Sequence, residues 1–205
     1  YGNITIAGIC GKPYEVLVFT WAEPYVSIMK RKFEEATDLY GHNIINADSL
    51  YFDRWGWNVS ARMWDTMLMQ HLVQPDYRHG LAFCASVFTN RPHWKGDGKD
   101  NIDIEDGQAV PKAQWKTWNS EHAIPIKLGG YGGCQSDDEA YRLYNARDNA
   151  ANYDIIEPIE QLLDRYNLSS IYWNISRPAA YLCRDMGETG LKISHERLEK
   201  MAAEL

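Results

Sequence analysis

The 205 residues predict an α/β domain: a mixed sheet flanked by helices, giving way to helices alone toward the C-terminal end. Three observations carry that reading. Residues 4–10 and 14–19 are two β-rich runs joined by Gly11-Lys12-Pro13, the pattern of a β-hairpin. Short β-rich runs then alternate with segments of helical period as far as residue 88. Beyond residue 135 only helical periods remain.

The elements follow in order. Residues 4–10 and 14–19 are the hairpin strands, and 27–37 reads as a helix with a polar face. Residues 38–43 read as a short strand or the entry to a loop, 47–55 as a helix, and 62–64 as a second short extended segment. Asp65 is placed to cap a helix that runs through Val73 with Met67, Leu68 and Leu72 inward, and Pro75 ends it. The next helix spans 80–88, with Leu81, Cys84, Ala85 and Phe88 on one face.

Residues of about 91–135 break the pattern, with many glycines, an acidic patch at 100–106 and the scattered Trp94, Trp115 and Trp118. A long insertion of this kind is either a flap whose tryptophans and lysines stack on single-stranded bases or a surface loop anchored by its aromatics. The helix that follows should kink or restart at Pro158. Residues 171–186 form a further helix, 190–193 an extended link, and Ser194 caps a last helix to residue 205. Because that helix has no stop signal and the chain opens directly on the hairpin, it is expected to be a piece of a longer polypeptide.

Composition narrows the class. Apolar residues make up 45% and charged residues 24%, ordinary values for a globular chain, and no apolar run approaches a membrane span. The net charge of −7 argues against a simple DNA-binding module, which would show a basic footprint. Cys10, Cys84, Cys134 and Cys183 lie far apart with no CxxC pair, and no secretory leader is read, so reduced thiols and a cytoplasmic setting are expected. There is no phosphate-binding P-loop and no arguable Ser–His–Asp or Cys–His arrangement.

Two carboxylates stand out. Tyr141, Tyr144, Asp148, Ala151, Ile155, Ile159 and Leu162 form one helical stripe in which only Asp148 is charged. A carboxylate facing a core needs a partner, either a metal ion or a neighbouring loop that it caps. Asp48 follows the strand-like approach through His42 and Asn43 and opens a helix. It reads either as an N-cap or as a second carboxylate aimed into a shared cleft. Asp65 reads as a cap rather than a ligand. His71, His79, His93 and His122 are not spaced as a metal site and are taken as surface or structural.

Taken together, these segments resemble the proofreading 3′–5′ exonuclease domain of family A, DNA polymerase I-like, DNA polymerases of the phage type. His42-Asn43 with Asp48 resembles the second exonuclease motif, and Tyr144-x-x-x-Asp148 the third in its tyrosine form. The run from Trp64 to Leu72, His79-Gly80-Leu81 and Pro92-x-Trp94-Lys95 resemble the connecting helices, while Arg177-Pro178-Ala179 and Gly190-Leu191-Lys192-Ile193 resemble the join to the polymerase thumb. The resemblance implies an RNase H-like (DEDD exonuclease) domain at 1–168 and the start of a helical thumb at 169–205. It implies two Mg²⁺ or Mn²⁺ ions, with Asp48 and Asp148 as metal ligands, Tyr144 orienting the attacking water, and His42 and Asn43 at the substrate. The implied partners are the 3′ end of single-stranded DNA and a polymerase domain in the same parent chain, with no membrane. The implied location is the cytoplasm of a bacterium, or of the host if the protein is phage-encoded.

Departures from the family are also plain. The first motif, Asp-x-Glu, does not occur before the hairpin, the 91–135 insertion is long, and the Asn43–Asp48 spacing is one residue longer than in some members. With two of four carboxylates, the isolated chain is expected to be inactive and to bind Mg²⁺ weakly. The alternatives are a non-catalytic exonuclease-like domain that positions DNA or packs against a polymerase, and a stand-alone DEDD nuclease. The thumb-like tail argues against the second.

Overall fold

The computed structural model describes residues 4, 6–13, 15–91, 139–190, 192 and 194–203, with the backbone of two short strands at 104–105 and 108–109. The tryptophans of the insertion therefore lie outside the described residues, as does the side chain of Tyr141.

The hairpin forms as its two β-rich runs and their Gly-Lys-Pro turn predict. β1 (Ile6–Lys12) pairs antiparallel with β2 (Glu15–Thr20), Ile6 opposite Thr20 and Cys10 opposite Val16. The register shifts between Cys10 and Lys12, so Gly11 occupies a bulge and the strand runs on to the residue before Pro13. α1 (Tyr25–Glu35) buries Met29 and carries the pairs Lys30–Glu34 and Lys32–Glu35 on its outer side. β3 (Asp38–Gly41) and β4 (Arg62–Asp65) are parallel neighbours, Asp38 opposite Arg62 and Gly41 opposite Asp65. The crossover between them contains α2 (Asp48–Arg54), as a parallel pair requires.

α3 (Thr66–Val73) springs directly from β4, and α4 (Leu81–Phe88) follows after a turn. β5 (Ile104–Glu105) and β6 (Gln108–Ala109) pair with each other. α5 (Glu139–Arg165) is the long helix of the molecule's second half. After it come a single turn, α6 (Ser169–Ile171), a π-turn (Tyr172–Ser176), α7 (Arg177–Thr189) and α8 (His195–Ala203).

The chain is thus a mixed α/β protein, as expected. Among the described residues the strands pair two by two, β1–β2, β3–β4 and β5–β6. The first two ladders share one apolar cluster. Ala7, Ile9 and Phe19 of the hairpin pack with Leu39 of β3 and Met63 of β4 against Met29, Ile44, Ile45, Phe52 and Trp57. A second cluster joins Met69, Leu81, Cys84 and Ala85 to Ala151, Ile155, Ile159 and Leu163 of α5, with Tyr172 fully buried among them.

Four local expectations are corrected. The deepest residues of α3 are Thr66, Met69 and Gln70, whereas Leu68 and Leu72 pack at the cluster's edge. The α5 stripe closes on Leu163 instead of Leu162. That helix continues through Pro158, because Ile155 on one side and Ile159 and Leu163 on the other are buried along one face. The expected helix over 171–186 is divided at the π-turn. Pro178 has no N–H to close a regular turn, and the wider turn lets Tyr172 reach the core. There the Tyr172 hydroxyl accepts from the Asp65 N–H at 2.7 Å and donates to the Met63 carbonyl at 3.3 Å.

Candidate functional site

Gly41 and Asp65 are the last residues of two adjacent parallel strands, so the segments that follow them emerge side by side. The chain after Gly41 turns through residues 42–47, with Asn43 at φ 64°. Asparagine tolerates that left-handed backbone better than most side chains.

Asp65 holds this turn. As expected it caps α3, accepting from the N–H groups of Met67 (3.1 Å) and Leu68 (3.3 Å). It also accepts from the N–H groups of Asn43 (2.9 Å) and Ile45 (3.2 Å) across the strand pair. Its carboxyl is 1% exposed, and that burial pushes its pKa up, while the backbone donors pull the other way.

Thr66, fully buried, makes the link to α5. Its hydroxyl lies 3.0 Å from His42 Nδ1 and donates to Asn152 Oδ1 at 2.7 Å. The assignment that serves both contacts has His42 Nδ1–H donating to the threonine oxygen. Tyr40 of β3 adds a second tie, donating its hydroxyl to Glu160 at 2.7 Å. Tyr144, Asp148 and Asn152 are spaced by four residues and occupy one face of α5. Tyr144 and Asp148 are half-buried, and Tyr144 packs at the edge of the α3–α4–α5 cluster. The contact between Thr66 and Asn152 therefore brings the helix bearing Tyr144 and Asp148 against the turn bearing His42 and Asn43.

Asp48 is the first residue of α2 and does not cap it; Ala47 holds the cap position and no side chain closes the end. Ser49 fixes this helix start instead, its hydroxyl donating to the Ile45 carbonyl at 2.6 Å. The Asp48 side chain is exposed to solvent at the surface, with much protein packed behind it. Loss of water, and after it the negative charge of Asp65, push its pKa up to about 6, with its own backbone N–H opposing.

Asp48 and Asp148 offer hard oxygen donors, the kind that Mg²⁺ and Mn²⁺ take. Among the described residues no three His, Cys, Asp or Glu side chains stand together as a metal-binding group. A shallow groove of about 350 Å³ lies elsewhere, lined by Phe19, Tyr25, Ile28, Lys32 and Arg142, and includes none of the five candidate residues.

Sequence reasoning missed Thr66 and Asn152. Asn152 continues the Tyr144–Asp148 spacing by one more turn, and that was the available signal. It also missed that His71 and His79 meet, their Nδ1 and Nε2 atoms 3.0 Å apart. Three of the cysteines, Cys10, Cys84 and Cys183, are described and all are free thiols. Among the described residues no helix is long and apolar enough to cross a membrane. Compared with protein-family models, with curated proteins and with solved structures, the chain finds no match.

Proposed function

We propose that this chain is the proofreading 3′–5′ exonuclease portion of a family A DNA polymerase, carrying the second and third motifs of an RNase H-like active site. The observation that carries the reading is the Thr66 bridge, because it joins the turn of one candidate motif to the helix of the other. The raised pKa of Asp48 adds to it. A carboxylate short of water and beside a second carboxylate is relieved by a divalent cation.

In this reading Asp48 and Asp148 hold Mg²⁺ or Mn²⁺. Bound there, the ions supply an activated water and charge compensation for the scissile phosphate. Tyr144, one turn before Asp148, orients the attacking water through its hydroxyl. His42 and Asn43 sit where the 3′-terminal nucleotide of single-stranded DNA would lie, and the Asp65 contacts keep that turn in place. A strand bearing the Asp-x-Glu motif would complete the ligand set. Residues 169–205 lead toward the polymerase domain, and the exposed Ile175, Leu182 and Met186 of that segment suit packing against a further helical body.

The test is Mg²⁺- or Mn²⁺-dependent release of nucleotides from the 3′ end of single-stranded DNA. It uses a polypeptide in which this chain follows an Asp-x-Glu strand, with Asp148→Ala as control. Release abolished by the substitution is the expected result. No release by the folded polypeptide would leave a domain that positions DNA or packs against a polymerase without hydrolysing anything.

A further inference from the structure

α3 reaches His71 near its end, and the chain returns through Pro75 to His79 just before α4. There the two imidazoles meet nearly edge to face, their ring centroids 4.7 Å apart and their planes at 89°. His71 Nδ1 and His79 Nε2 point at each other across 3.0 Å. The second nitrogen of His79, Nδ1, makes a short hydrogen bond to Oε1 of the fully buried Gln70. In this amide orientation the oxygen accepts, the proton sits on His79 Nδ1, and the lone pair of Nε2 accepts from His71 Nδ1–H, while the amide nitrogen of Gln70 is buried with no hydrogen-bond partner among the described residues. A carbonyl oxygen that fixes the tautomer from behind is the usual outer support of a metal-binding histidine.

The spacing fits the same chemistry. Two imidazole nitrogens bound at about 2.0–2.1 Å to one tetrahedral ion stand about 3.3 Å apart. The separation is within a few tenths of an ångström of that; to admit the ion each ring must also turn by about 35°, so that both lone pairs meet on the metal, and His71 must carry its proton on Nε2. His71 is exposed, which leaves a path for the ion from solvent.

We propose that His71 and His79 form a two-nitrogen site for a borderline transition-metal ion, Zn²⁺ above all, which clips the end of α3 to the loop that begins α4. Water completes the coordination. Imidazole nitrogens suit Zn²⁺, Ni²⁺ and Cu²⁺ and do not suit Mg²⁺, so this site is separate in kind from the carboxylates Asp48 and Asp148. It does not depend on the exonuclease reading. The competing account is a plain N–H···N bond between two neutral rings, which gives no metal affinity.

Calorimetric titration with Zn²⁺ alone decides between them, using the whole chain in a Cys183→Ser background, which removes an exposed thiol. The expected result is one ion per chain, with affinity weakened at least about tenfold by His71→Gln and likewise by His79→Gln. His195→Gln leaves it unchanged. Zn²⁺ binding of equal strength in both pair variants, or none in the parent, overturns the site. Because His71 is exposed, His71→Gln should keep the parent's far-ultraviolet circular dichroism, so loss of binding there reads as loss of a ligand.

Discussion

Asp65 ends β4 and Asp48 opens α2, close enough for the charge of one to act on the other, and the fold serves them differently. Asp65 exchanges water for four backbone N–H donors. Asp65→Ala leaves those donors buried without an acceptor and removes a helix cap, so it should cost about 3 kcal/mol or more, with Asp65→Asn milder. Urea unfolding of the two variants checks this. Asp48 keeps contact with solvent, but the protein crowded behind it and the charge of Asp65 raise its pKa from the usual 3.8 to about 6. A carboxyl with a raised native pKa holds its proton more tightly folded than unfolded. Its ionisation therefore subtracts stability as pH climbs through that window, and the loss persists at neutral pH. Asp48→Asn should stabilise the chain at pH 7 by an amount that contact with solvent limits to on the order of 1 kcal/mol, and should make no difference near pH 3. An equal effect at both pH values would contradict it. At this scale the sequence was legible where the cause is local. The cap at Asp65 follows from a strand-to-helix junction, whereas its hold on Asn43 and Ile45 depends on the parallel register of β3 and β4, which no local pattern encodes.

Between elements, single polar side chains do the joining. Thr66→Val keeps the shape of the side chain but strands His42 Nδ1 and Asn152 Oδ1, and should cost about 1–3 kcal/mol, while Thr66→Ser should cost less. Chemical denaturation of the pair checks it. Arg184 of α7 donates to Ser49 Oγ at 2.8 Å, pairs with Asp53 at 3.0 Å and lies 4.9 Å over the Tyr181 ring, so it holds α7 against α2. Arg184→Ala should lower stability by about 1–2 kcal/mol, measured the same way. Helical and strand periods gave the positions of most elements, since each period reflects which face is buried. The π-turn was not legible because it answers to the placement of Tyr172 beside β4, far away in the chain. The His71–His79 pair was hidden for a similar reason, since eight residues and a turn separate its members.

For the molecule as a whole, the α/β class was readable from the alternation of periods, but the assembly of the ladders was not. The hairpin and the parallel pair meet through side chains of α1, α2 and the 44–45 turn, and no pattern within either ladder announces that. The candidate site has the same character. Asp48 and Asp148 stood out from local pattern and His42, Asn43 and Tyr144 were joined to them by resemblance, while the Thr66 contacts that tie the His42 turn to the helix of Asp148 were seen only in the fold. The central proposal is that these two segments form one cation site. Mn²⁺ added at millimolar concentration to the isotope-labelled chain tests it, read as paramagnetic broadening of backbone amide signals. The expected result is broadening of residues 43–49 and 144–149 together, relieved at both by Asp48→Asn and at both by Asp148→Asn. Broadening confined to one segment, or unchanged by either substitution, would contradict a shared site.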